Sequence, residues 1–60
     1  MRYGEAWNGA AKAAADSGQQ AAVISKRING ADVYEFALGS AIEIACRDGW
    51  AVCECIGGEG

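Results

Sequence analysis

The alanine-rich segment GEAWNGAAKAAAD, residues 4–16, constrains the fold of this chain more than any other part of its sequence. Alanine is the best helix former and no β-branched residue opposes it, so the segment predicts a helix. At helical spacing, one face of this helix carries Trp7, Ala10, Ala11, Ala14 and Ala15. Alanine permits close approach to a neighbouring element but buries little area. Trp7 is therefore expected to anchor this face and to belong to the core.

The length of the chain, 60 residues, predicts one domain spanning 1–60. A chain of this size buries only about 60% of the surface that its unfolded form exposes, so its stability is expected to be marginal. No apolar run is long enough to span a bilayer, and the start MRYGEAWNGA lacks the apolar region of a secretory signal. We therefore expect a soluble protein of the cytoplasm.

The segment QQAAVISKRING that follows is compatible with two structures. Ser17 and Gln20 form a capping-box pattern, and Asn29 with Gly30 is a common helix end, so together they favour a helix. Alternatively, residues 22–28 form a strand, and Asn29 with Gly30 forms a type I′ hairpin turn. The helix is the preferred prediction.

The segment from Asp32 to Arg47 also has two readings. As a helix, it would turn one polar stripe to solvent, made of Asp32, Glu35, Gly39, Glu43 and Arg47. As two strands, it would turn at Gly39 and Ser40. We prefer the helix, because on strands Glu43 would lie opposite Glu54, an unfavourable pair of like charges.

Residues 50–56, WAVCECI, are rich in strand-forming side chains and follow Gly49, so they predict a strand. The partner of this strand is left open between residues 1–3, residues 22–28 and a strand at 41–47. The predicted fold class is a small α+β domain dominated by helices at about 4–16, 18–28 and 32–47, with a short carboxy-terminal strand at about 50–56. The alternative is an N-terminal helix packed on an antiparallel β meander.

The chain contains no histidine, which removes the commonest general base and the commonest metal ligand. It also lacks a Walker loop, a dinucleotide fingerprint and a GxSxG elbow. Cys46, Cys53 and Cys55 provide one Cys-x-Cys pair and one distant thiol, whereas a structural zinc site usually has two CxxC-like pairs. We therefore expect no enzyme activity, no metal, no cofactor, and reduced, partly buried thiols.

Charge is distributed unevenly along the chain. Residues 1–31 hold four basic and two acidic side chains, whereas residues 32–60 hold six acidic side chains against Arg47 alone. Spaced carboxylates suit a basic surface that normally binds nucleic acid, and they disfavour direct binding of DNA, whose phosphates require lysine or arginine. The candidate partner-binding residues are Asp32, Glu35, Glu43, Asp48 and Glu54.

In overall character, the chain resembles the small inhibitors encoded by phages and other mobile elements, anti-CRISPR proteins among them. The shared features are a very short single domain, an acidic composition, an expected cytosolic location and the lack of catalytic motifs. The resemblance covers the whole chain, and no residue role is transferred from it. It implies binding to a host nucleoprotein complex and blocking of the nucleic-acid site of that complex.

These observations predict a non-enzymatic, acidic inhibitor that docks on a basic surface of a host protein complex and blocks nucleic-acid binding. Neither a membrane nor nucleic acid is expected as a direct partner. The alternative hypothesis is a structural or regulatory module that associates with itself. The contacts of such a module would come from Trp7, Tyr34, Phe36 or Trp50.

Overall fold

The computed structural model describes residues 2–57. In chain order, these residues form α1 (Tyr3–Ser17), β1 (Ala21–Ile28), β2 (Ala31–Leu38), α2 (Ser40–Arg47) and β3 (Ala51–Ile56). The predicted α+β class is confirmed, and so are the first helix and the last strand. Helices do not dominate, however, so the alternative of an N-terminal helix packed on an antiparallel β meander fits better, except that α2 separates β2 from β3 along the chain. Glu59, which was counted in the acidic half, lies outside the described residues.

The three strands form one antiparallel sheet in the order β2-β1-β3. Strands β1 and β2 are joined by Asn29 and Gly30, which both have positive φ angles, 52° and 80°, as a type I′ turn requires. The predicted helix at 18–28 is therefore wrong, and the hairpin alternative is confirmed. Val23 and Ile24 are β-branched, and such residues favour strands whose side chains pack against neighbouring elements. In β1, Val23 packs on one side of the sheet and Ile24 on the other.

The predicted helix at 32–47 is wrong in its first half. Residues 31–38 form β2, and helix α2 covers only Ser40–Arg47. The break falls at Gly39, whose φ of +51° is a conformation that glycine adopts most readily. The strand before it pairs with β1 over its full length, and the hydrogen bonds and packing of this hairpin outweigh the local capping pattern.

The sheet is the middle layer between the two helices. Because successive strand residues point to opposite faces, β1 supplies a core to each side. The α1 side buries Ala6, Ala10, Ala14, Ala21 and Val23, with Tyr34, Phe36, Leu38 and Ile56 packed against them. The α2 side buries Ala22, Ile24 and Ala37, with Ile42, Ala45 and Trp50 packed against them.

Helix α1 approaches the sheet through its smallest residues. Ala6, Ala10 and Ala14 are buried, whereas Trp7 keeps 37% of its surface exposed. The prediction that Trp7 anchors the buried face is therefore wrong. A helix that packs closely on a sheet needs small side chains at the contact, and the bulk of the core comes from the sheet instead.

Strand β3 pairs with β1 over residues 21–25, which confirms one of the three partners left open by the sequence. Beyond Ser25 the hairpin of β1 and β2 continues without β3 beside it. Within residues 2–57, no helix is long and apolar enough to cross a membrane.

Candidate binding surface

The five candidate carboxylates are divided between the two sides of the sheet. Glu54 pairs in register with Val23, which faces α1, whereas Glu35 pairs with Ile24, which faces α2. Asp32 shares the α1 side with Tyr34, since it lies two residues away on the same strand. Glu43 and Asp48 belong to α2 and its carboxy-terminal cap. The predicted single stripe along one helix is therefore wrong.

Three of these carboxylates have a basic partner on the surface. The ion pairs are Lys26–Asp48, Arg27–Asp32 and Arg47–Glu43, with N–O distances of 3.9, 3.4 and 3.3 Å. In each pair the acidic side chain is more than half exposed, and such exposed pairs contribute about 0–1 kcal/mol to stability. A docking partner with its own basic groups can therefore replace them at little cost.

Lys26 has further contacts that hold its side chain in place. Its Nζ atom donates a hydrogen bond to the carbonyl oxygen of Asp48 at 3.0 Å and lies 5.9 Å from the centroid of the Trp50 ring. This geometry is suitable for a cation–π contact. Trp50 itself is half-buried and packs on the α2 side of the core.

Glu54 is tied to the first residue of α1 by a contact that the sequence did not indicate. The hydroxyl of Tyr3 donates a hydrogen bond to Glu54 Oε1 at 2.9 Å, and the Tyr3 ring meets Tyr34 edge to face with centroids 5.4 Å apart. The hydrogen bond to the Glu54 carboxylate raises the pKa of Tyr3 above its ordinary value of 10.0, and desolvation and the charge of Glu54 act in the same direction. No local pattern could have paired residues at the two ends of the chain.

Glu35 differs from the other candidates because it sits in the middle of an edge strand. Its side chain is partly buried and lies on the α2 side, opposite Ile24. It forms no ion pair with any residue between 2 and 57. Together with Glu43 and Asp48, it places three of the five carboxylates on the α2 side of the molecule.

The cysteines do not come together. Cys46, Cys53 and Cys55 are all free and exposed, so the expectation of partly buried thiols is wrong. Cys53 occupies a bulge in β3, and its thiol donates a hydrogen bond to Ser25 Oγ at 3.3 Å. Within the described part of the chain, no three acidic or cysteine side chains are grouped as metal ligands.

Comparison of the chain with protein-family models, with curated proteins and with solved structures found no match.

Proposed function

We propose that this protein is a small, non-enzymatic inhibitor that docks on a basic, nucleic-acid-binding surface of a host protein complex in the cytoplasm. It would block nucleic-acid binding there, in the manner that the resemblance to anti-CRISPR proteins implies. One observation carries the proposal. None of the described acidic side chains is buried, so Asp32, Glu35, Glu43, Asp48 and Glu54 all remain available to a partner.

The α2 side of the molecule is the favoured contact region because Glu35, Glu43 and Asp48 lie there together. Glu35 has no basic partner among residues 2–57, and the ion pairs of Glu43 and Asp48 are exposed and weak. Charged groups on such surfaces attract a partner over a Debye length of about 8–10 Å at moderate ionic strength. Docking is therefore expected to weaken steeply as salt is added.

Charge reversal at single positions tests the proposal. The variants Glu35→Lys and Glu43→Lys change the acidic region, and Asp16→Lys is the matched control because it changes the net charge equally on the exposed last turn of α1. A basic residue near the carboxy terminus of a helix is also favourable, so the control should fold. The partner is first captured from a bacterial lysate and purified with its nucleic-acid-binding activity.

The measurement is displacement of labelled nucleic acid from that partner at low and at moderate salt. We expect Glu35→Lys and Glu43→Lys each to weaken displacement by about tenfold at low salt, because like charges placed face to face are strongly unfavourable. Asp16→Lys should leave it nearly unchanged. The proposal is wrong if all three variants behave alike, or if the captured partner has no nucleic-acid-binding surface.

Self-association is a second candidate, and the exposure of two aromatic side chains favours it. Tyr3 and Trp7 keep 40% and 37% of their surface exposed, and they lie one helical turn apart on α1, where such residues are neighbours. Light scattering at increasing protein concentration tests this candidate. A mass that stays monomeric throughout excludes it.

A further inference from the structure

Among residues 2–57, no strand pairs with the outer edge of β2, and the geometry of this edge is regular. β2 lies at one side of the sheet and pairs with β1 over residues 31–38 without interruption. At the opposite side, β3 is shorter and carries the bulge at Cys53, a feature that disfavours addition of another strand. Of the two edges, β2 is therefore the one that a further strand fits.

The hairpin turn shows which backbone groups of β2 point outward. In a type I′ turn the flanking residues, here Ile28 and Ala31, form a hydrogen-bonded pair, and such pairs alternate along the ladder. The N–H of Gly39 donates to the carbonyl oxygen of Gln20 at 2.8 Å, which agrees with this alternation. The backbone groups directed to the outer edge therefore belong to Asp32, Tyr34, Phe36 and Leu38.

The side chains of β2 then define what an added strand would meet. Tyr34 and Phe36 face the α1 side and pack against the core, so residues opposite them should be apolar. Glu35 faces the α2 side. Relative to an added strand, Glu35 occupies a non-hydrogen-bonded position, where opposite residues approach to about 4.5 Å between Cα atoms and side chains are closest. A basic side chain opposite Glu35 would form a favourable cross-strand pair.

We infer that the outer edge of β2 binds an extended segment of a partner protein as a fourth strand, with lysine or arginine opposite Glu35 and apolar residues opposite Tyr34 and Phe36. This inference rests on the proposed function and specifies which part of a basic partner is recognised. Backbone hydrogen bonds hold the segment, and Glu35 selects its charge.

Charge favours a basic segment over a second copy of this chain. A symmetric antiparallel pairing of two β2 strands can be centred on Tyr34, Glu35 or Phe36. In each of these registers, Glu35 lies directly opposite its copy or at a diagonal position about 7–8 Å away. A foreign strand with a basic residue removes this repulsion.

The probe is an acetylated and amidated peptide in which lysine alternates with valine, so that one face is basic and the other is apolar. Binding is measured by calorimetry, and protection of backbone amides is measured by hydrogen exchange. We expect binding to slow the exchange of the four outward amides of β2. Glu35→Gln should weaken the affinity by about fivefold, whereas the control Asp16→Asn, on the exposed last turn of α1, should leave it unchanged.

Methylation of the peptide backbone provides a control that leaves the protein intact. Valines opposite Tyr34 and Phe36 direct their N–H groups toward β2, and the lysines direct theirs away. N-methylation of the valines should therefore abolish binding, and N-methylation of the lysines should preserve it. A peptide with glutamate in place of lysine should bind at least tenfold more weakly.

The inference is overturned by any of several results. These are the absence of peptide binding, equal effects of the two methylation patterns, and binding without protection of the outward amides. Protection of those amides in a dimer of the free protein would assign the edge to a second copy. If the peptide does not bind while charge reversal still weakens docking on the captured complex, strand addition is wrong and the proposed function stands. If the peptide binds as expected while charge reversal has no effect, the proposed function is wrong.

Discussion

Substitution of Gly9 by alanine should destabilise the protein, although alanine is the better helix former. Gly9 lies in the middle of α1 against Phe36 of β2. A methyl group at Gly9 would lie 2.6 Å from Cε1 and 2.9 Å from Cδ1 of the Phe36 ring. Carbon atoms in favourable contact are about 3.5–4.0 Å apart, so either the ring or the helix has to move.

Two opposing contributions set the size of the effect. Alanine gains about 1 kcal/mol over glycine inside a helix, whereas forcing an extra carbon into a packed core costs about 1–3 kcal/mol. The expected net loss is about 1 kcal/mol in the free energy of unfolding. For a domain of this size, that loss lowers Tm by about 4–8 °C.

Thermal and urea unfolding followed by circular dichroism measure this change. Gly4→Ala is the matched control on the same helix, because a methyl group at Gly4 meets no atom within 4 Å, and it should cause no loss. In the double variant with Gly9→Ala and Phe36→Leu, leucine replaces the ring that the added methyl group would contact. The losses in the free energy of unfolding of the two single variants should therefore not add. A rise in Tm for Gly9→Ala, or full additivity of the pair, would show that the contact with Phe36 does not limit the packing of α1.

Two further predictions concern the core and the amino terminus. Val23 is fully buried and Val52 is 41% exposed, so Val23→Ala should lower the free energy of unfolding in urea by about 2–3 kcal/mol and Val52→Ala by less than about 1 kcal/mol. Equal losses would contradict the assigned core. The hydrogen bond from Tyr3 to Glu54 raises the pKa of Tyr3 above its ordinary value of 10.0. The protonated phenol therefore stabilises the fold at every pH below the unfolded-state pKa of about 10. This stabilisation is lost as the pH rises through the folded-state pKa. Glu54→Gln should shift the phenolate absorbance of Tyr3 to lower pH, and an unchanged titration would exclude the contact.

Helix α1 and strand β3 could be predicted from the sequence because each has only one locally favourable structure. The alanine-rich segment contains no strand-forming residue except Trp7, and the β3 segment begins directly after a glycine turn. The same local reasoning placed Trp7 in the core. It failed there because the position of the sheet, rather than the helix itself, decides which face of α1 is buried.

Strands β1 and β2 could not be distinguished from helices by local patterns. Their capping-box residues are compatible with helices, and Asn29 with Gly30 ends a helix as readily as it forms a hairpin turn. The strands form because β1 packs Val23 against α1 and Ile24 against α2. Both contacts join segments that are distant in sequence.

The sequence identified the acidic residues of the candidate surface, but it did not predict how they are arranged on the fold. None of the described acidic residues of the second half is buried, as expected for a carboxylate without a buried partner. Their division between two sides of the sheet follows from β2 being a strand, because Asp32 and Glu35 differ by an odd number of residues. The link between Tyr3 and Glu54 joins the two ends of the chain and has no local signal.

By itself, the sequence determined the α+β class, the amino-terminal helix, the last strand and the concentration of acid in the second half. These properties depend on residue type and on neighbours within a few positions. Only the tertiary structure decided that the sheet lies between two helices, that alanines rather than Trp7 form the buried face of α1, and that Glu35 lies on a free strand edge. Each of these depends on which distant segments pair, since pairing fixes the face and the neighbours of every residue in a strand.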